Sequence, residues 1–188
     1  MKTKFFVGLT GLFFTFSVYA SSYTIDSDHT FVMFKVSHMG FSHVYGRFTD
    51  VTGDFVLDSK TMSNSKVNLV IKTASIDTQQ PKRDKHLKNS DFFDAPSFPE
   101  IKFTSNKIKA LGKNKYHVEG VLLMRGKSKT IHFELVQNNE GKDPWGNYRT
   151  GGDATFTIDR TEFGMNWGLD KNIPAQVTLI VSIEGIRN

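Results

Sequence analysis

The chain contains no cysteine. That removes thiol nucleophiles, thiolate metal sites and iron–sulfur ligation, and it leaves the core to supply the stability that disulfides give many exported proteins. Other chemical signatures are missing too. There is no HExxH and no other histidine–carboxylate spacing of a known zinc type. No Gly-x-Ser-x-Gly elbow presents a serine. Arg149-Thr150-Gly151-Gly152 is no phosphate loop, because it lacks both a Lys-Ser/Thr pair and a following helix. Internal repeats, heptads, low-complexity tracts and interdomain linkers are also absent. Charge of one sign is scarce: the formal net charge is +5 over 188 residues and is scattered, which is no nucleic-acid footprint.

Long apolar runs are confined to the N-terminus. Lys2 and Lys4 precede Phe5 to Val18, and Val18-Tyr19-Ala20 ends the run in small residues. The run falls short of the roughly 20 residues that span a bilayer. It reads as a secretory signal peptide over 1–20, cleaved after Ala20, in preference to a retained anchor. No Cys follows for lipid attachment. Cleavage removes Lys2 and Lys4 from the +5 total and leaves +3 on residues 21–188. No later stretch is apolar enough to cross a membrane, so an integral membrane protein is not expected. Export also argues against base stacking on a basic, aromatic β-barrel.

What the mature sequence does have is alternation. In Thr130 to Val136, Ile131, Phe133 and Leu135 face one way and His132 and Glu134 the other. Gln176 to Ile183, Asp153 to Arg160, Asp54 to Asp58 and Glu100 to Thr104 alternate as plainly. This is the period of a strand, not of a helix. Further strands are expected at Thr30 to His38, Lys66 to Ile76 and Tyr116 to Met124. Turn signals stand at Thr52-Gly53, Ser63-Asn64, Gly112 to Asn114, Arg125-Gly126, Asn138 to Gly141 and Gly151-Gly152. Gln80 to Pro99 interrupts the alternation, and Pro81 suits the first turn of a short helix. About eight strands with short connections give an all-β, antiparallel sandwich or barrel. Strands that are apolar on both faces, such as Val67, Leu69 and Ile71 against Val70 and Ile76, suit a barrel with a greasy lumen. A crowded sandwich core accounts for them equally well.

Seventeen phenylalanines are the strongest compositional feature. Aromatic rings inside a barrel would make a rigid lining for an apolar ligand, although any single Phe is first of all a core residue. The polar clusters have plainer readings. His29 and His38 have opposite parity on a strand, so His29, His38 and His43 do not converge on a metal. Arg83-Asp84-Lys85-His86 reads as an exposed helix face bonding the backbone of neighbouring loops, in preference to an acid–base pair.

Several of these stretches are similar to the YceI-like family: Tyr23 to Asp26, His29, Phe34 to His38, Gly46 to Phe48, Gly53 to Phe55 and Ser75 to Thr78. The most specific runs from Arg83-Asp84-Lys85-His86-Leu87 through Asp91-Phe92-Phe93 to Phe98-Pro99 and Phe103. Tyr116 to Leu122, Asp143 to Gly146 and Arg160 to Gly164 complete the resemblance, which covers essentially all of residues 21–188. It implies one lipocalin-like, eight-stranded antiparallel β-barrel with a short capping helix near 81–89. It also implies periplasmic location, a bound polyisoprenoid or other long-chain amphiphile such as a quinone, and room for a homodimer. No other cofactor, no metal and no nucleic-acid partner is expected. No short motif marks ligand contacts, so the candidate lining is taken from the apolar positions Phe34, Val36, Leu69, Phe92, Phe93, Phe103, Leu122, Phe133, Phe156, Ile158, Trp167 and Leu179. A lipid carrier without catalysis is the expected function. The rivals are an enzyme on an apolar substrate, with His38 or His86 as base, and a barrel filled by its own side chains that serves as an interaction module.

Overall fold

The structure, a computed structural model, describes residues 20–188. The signal-peptide reading of residues 1–20 therefore lies outside the described residues, Ala20 excepted. The strands are β1 (Ser21–Ile25), β2 (Phe31–His38), β3 (Ser42–Phe48), β4 (Val51–Leu57), β5 (Lys66–Lys72), β6 (Ile76–Asp77), β7 (Glu100–Gly112), β8 (Lys115–Met124), β9 (Lys127–Lys142), β10 (Tyr148–Asp159) and β11 (Gln176–Arg187). One helix, α1 (Pro81–Leu87), follows β6. The order β1-β4-β5-β7-β8-β9-β10-β11 closes on itself where β1 pairs with β11.

The remaining three strands continue this ring. β11 pairs with β1 at Gly185 to Arg187 and with β2 at Thr178 to Ser182. β1 then pairs with β4, β2 with β3, and β6 adds to β3 much as β5 adds to β4. Each of β1/β2, β4/β3 and β5/β6 is thus one interrupted stave, and the closed antiparallel barrel has eight. The β9–β10 pairing that completes the ring runs from Lys142 to Leu135 on β9 and from Tyr148 to Ala154 on β10.

Alternation places the core. Val118, Leu122 and Met124 on β8, Ala154 and Ile158 on β10, and Val32 and Phe34 on β2 point inward and are buried. Their sequence neighbours point out, as the two-residue period requires.

The structure moves several expected boundaries. The run expected as one strand from Lys66 to Ile76 breaks at a 3-10 turn, Thr73–Ser75. That turn reverses the parity, so Ile76 faces the core at 2% exposure instead of sharing the outer face with Val70. Asn138 to Gly141 and Gly151-Gly152 are not turns but parts of β9 and β10, with a register shift between the two glycines; the true reversal is Asp143 to Asn147. Thr52-Gly53 also lies within a strand. Gly53 has φ +152°, and a Cβ there would meet the Asn68 carbonyl oxygen at 2.1 Å, so this glycine allows close strand approach instead of a reversal.

α1 forms where Pro81 was expected to start it. Pro81 occupies the first turn, and the Gln80 side chain caps it by accepting from Arg83 N at 2.8 Å. Arg83 Nε and Nη2 donate to the hydroxyl and carbonyl of Thr78, and Asp84 accepts from Thr78 N at 2.9 Å. The Arg83–Asp84 pair thus anchors the helix across one end of the barrel, as the loop-bonding reading of this cluster expects.

Candidate functional site: an apolar lumen

The inward side chains do not fill the barrel. Three chambers follow one another along its axis. The first, under α1, holds about 800 Å³ of empty space, its opening to solvent included. Val36, Phe48, Leu87, Phe92, Phe93, Ile101 and Met165 are among its walls. Val32, Ile71, Leu122 and Leu179 are shared with a middle chamber of about 620 Å³. Val67, Val118, Leu135 and Ile183 are shared in turn with a far chamber of about 540 Å³. Chambers that share walls are neighbours, and together the three make up the apolar lumen.

Phenylalanines line this lumen because glycines on neighbouring strands make room for their rings. A Cβ on Gly46 would lie 2.3 Å from Phe34 Cζ, and one on Gly120 would lie 2.6 Å from Phe103 Cε2. Phe133 stacks on Phe156 at 4.5 Å between centroids, and Phe103 leans on Phe133 at 5.7 Å. Such offset and tilted pairs are the favoured aromatic arrangements.

Of the twelve positions named from the sequence, Phe34, Val36, Phe92, Phe93, Leu122, Ile158 and Leu179 line the chamber under α1. Leu69, Phe103, Phe133 and Phe156 line the middle one, which also includes Leu122 and Leu179. Trp167 is not in the lining. It packs against His86 at 4.6 Å and Phe92 at 5.3 Å, with Lys171 Nζ 4.5 Å from its ring centre. It supports the cap from behind Phe92. His86 is bonded to Asp91 at 2.9 Å within this aromatic group.

Two parts of the site are illegible from apolar alternation. One is Arg160, 4% exposed beside the first chamber. Its guanidinium donates to the carbonyl oxygens of Pro174 (2.9 Å), Met165 (2.7 Å) and Ile173 (3.0 Å). It pins the segment that covers the lumen beside α1, and burial pulls its pKa down from the usual value. The other is the far chamber, whose wall includes Tyr116, Gln137, Thr150 and Ser65 although its surface is almost wholly apolar. Extending the inward parity of Ile131, Phe133 and Leu135 by one step would have found Gln137.

Outside the barrel, Arg149 Nη1 lies 2.6 Å from Glu184 and also bonds Asp26, while its Nε lies 2.6 Å from Asp143. Burial alone would raise the Asp26 and Asp143 carboxyls. Bonds from Arg149, joined by His29 at Asp26 and Asn147 at Asp143, override it and hold both at about 2. Asp26, His29 and Glu184 place one ligand atom each within 4.8 Å of one another, a metal-like spacing the sequence reading did not anticipate. Arg149, bonded to both carboxylates, already supplies a positive charge at that position. Among the described residues no helix is long and apolar enough to cross a membrane.

Comparison with known proteins agrees with this architecture. The model of the YceI-like domain matches residues 23–185. A UPF0312 protein of Photorhabdus laumondii is 39% identical over 192 residues, covering 100% of this chain and 99% of the relative. Among solved structures, Burkholderia cenocepacia BcnA superposes with a TM-score of 0.77 at 21% identity, covering 85% of this chain and 98% of BcnA. A polyisoprenoid binding domain from Saccharophagus degradans does so at 0.67 and 14% identity, covering 88% and 98%. With its closed eight-stave barrel, its short cap and a family match over nearly the whole described chain, this protein belongs to the YceI-like domain family.

Proposed function

We propose that this protein is an exported, periplasmic carrier or sequestering protein for a long-chain isoprenoid-type lipid, of the prenol or quinone kind, held in the barrel lumen, and that it is not an enzyme. The observation that carries the reading is the run of neighbouring apolar chambers inside the barrel from the α1 cap to Gln137. A structural neighbour described as a polyisoprenoid binding domain supports the same ligand class. The mechanism is partition. Burying about ten methylenes of a tail contributes roughly 8 kcal/mol before ordering costs, the scale of micromolar binding. Of the side chains near the cap that could serve as acid or base, Asp84 is held by the amide and hydroxyl of Thr78, and neither it nor His86 lines the chamber under α1.

The reading is tested by incubating delipidated protein with a long-chain prenol and measuring occupancy by native mass spectrometry. Wild type takes up one chain. Phe133→Asp and Phe156→Asp place a charge in the middle chamber, where an unpaired carboxylate is costly to desolvate, and should lower occupancy at least tenfold while circular dichroism shows the fold retained. A folded variant with undiminished occupancy would remove that residue from the site. Export is tested separately: the periplasmic fraction should contain protein whose N-terminus is Ser21.

A further inference from the structure

The turn between β2 and β3 carries the most exposed large apolar side chain among the described residues. Phe41 is 88% exposed, and Met39 beside it is exposed as well. Both stand on a tight reversal that bonds its own backbone. Phe41 N donates to the His38 carbonyl at 3.0 Å, and Gly40 N donates to the Ser37 hydroxyl at 3.3 Å. Asn172 Nδ2 donates to the Met39 carbonyl at 3.3 Å, which ties the tip to the end of the 3-10 turn Leu169–Lys171. Leu169 is a third exposed apolar side chain, and Lys171 in the same turn is exposed too.

This patch grows out of the walls of the lumen. Val36, two residues before His38, and Ile173, next to Asn172, both line the chamber under α1. Two segments that wall that chamber therefore continue directly into the exposed tip. The hairpin also carries charge of one sign. Residues 30–49 include Lys35, His38, His43 and Arg47 but no Asp or Glu, in a chain that holds 19 acids. Lys35 points outward from β2, opposite in parity to the chamber residues Phe34 and Val36. Its partner across the ladder is Tyr45, which is exposed. Two acids border the region: Asp77, 3.5 Å from Arg47, and Asp170, the neighbour of Lys171.

We infer that the Met39–Phe41 tip and Leu169 dock this protein on an anionic phospholipid bilayer, with the cap end of the lumen held against the membrane surface. Apolar side chains at the front, with lysine and tyrosine a step behind, suit shallow insertion at a lipid–water boundary. The Phe41 and Gly40 amides are already bonded within the hairpin, so Phe41 enters the acyl boundary without taking unpaired donors with it. A protein partner suits the patch less well. Three side chains cover far less than the roughly 800 Å² that each partner of a stable protein complex buries. Docking itself does not depend on what the lumen holds. Its role, loading and unloading an insoluble chain without passage through water, rests on the reading of the lumen as a lipid site.

The test is co-sedimentation with phospholipid vesicles of wild type and variants, all purified alike from exporting cells so that the N-terminus is common to them. Wild type should bind vesicles of equal parts phosphatidylglycerol and phosphatidylethanolamine about fivefold more tightly than phosphatidylcholine vesicles, the effect of one basic side chain near an anionic surface. Phe41→Ser should weaken binding about tenfold, the scale of withdrawing one large apolar side chain, and Leu169→Ser should weaken it by less, with circular dichroism unchanged in both. Vesicles seeded with a long-chain prenol should fill delipidated wild type faster than Phe41→Ser, while prenol delivered in detergent fills both alike. Wild type that stays in the supernatant, equal binding to neutral and anionic vesicles, or undiminished binding by Phe41→Ser overturns the inference. So does a wild-type dimer that Phe41→Ser splits and that ignores vesicles, which would assign the tip to a second copy. Wild type that binds vesicles but takes up prenol by neither route would leave docking standing and overturn the lipid reading of the lumen instead.

Discussion

A phenylalanine directed at the axis of a narrow barrel blocks the lumen unless a neighbouring strand yields space for the ring. Phe34 and Gly46 solve this as direct cross-strand partners, and Phe103 uses Gly120, which lies diagonally from it. Phe55 lies over Gly185 in the same way, with Cε1 2.4 Å from where a Cβ would stand. Substituting Gly46→Ala should cost about 1–3 kcal/mol, the usual price of overpacking. In a Phe34→Leu background the same substitution should cost clearly less, because contacting residues couple. Urea unfolding of the four proteins in this cycle measures it; equal costs in both backgrounds would show that the ring is not what occupies the space. These residues also mark how far sequence reading reaches. The inward phenylalanines are visible from alternation, whereas the glycines that accommodate them read as punctuation, since nothing in a single sequence distinguishes a turn glycine from one that admits a neighbour's ring.

At the scale of elements, Arg149 does for the far end what Arg160 does for the cap. From β10 it joins Asp26 after β1, Asp143 in the β9–β10 reversal and Glu184 on β11. The Asp26 and Asp143 carboxyls have folded-state values of about 2, below the usual carboxylate value of about 4. Their contribution to stability is therefore complete above pH ~4 and is lost as the pH falls from there through about 2. Arg149→Gln leaves three acids facing one another without their cation. Its melting temperature should fall below that of wild type by the largest margin at pH 7, and the margin should close between pH 4 and pH 2. A margin independent of pH over that interval would show that the guanidinium acts by packing alone. The same region explains why strand ends were misread. Gly151-Gly152 has the composition of a turn, but the pairing of β9 with β10 carries through it with a register shift. Likewise the Thr73–Ser75 turn inside an apparently continuous strand reverses which face Ile76 occupies. Both are outcomes of long-range pairing, which local pattern does not contain.

For the whole molecule, closure is the consequential fact. Eight staves give a barrel of the width that holds one small ligand, and the inward alternation of every long strand makes that interior apolar. Nine of the twelve positions lie on strands and line the lumen because strand parity transmits reliably to the inside of a barrel, while Phe92 and Phe93 reach it from the segment after α1. Trp167 lies in an irregular segment where no parity applies, and it packs behind the cap instead.

The most direct measurement is native mass spectrometry of the protein as isolated from cells that export it, paired with solvent extraction and lipid analysis. A stoichiometric excess mass, released by solvent and matching a long-chain isoprenoid, is the result predicted. A clean protein mass, unchanged after incubation with prenols and quinols, would contradict the account and leave a barrel whose interior serves only its own stability.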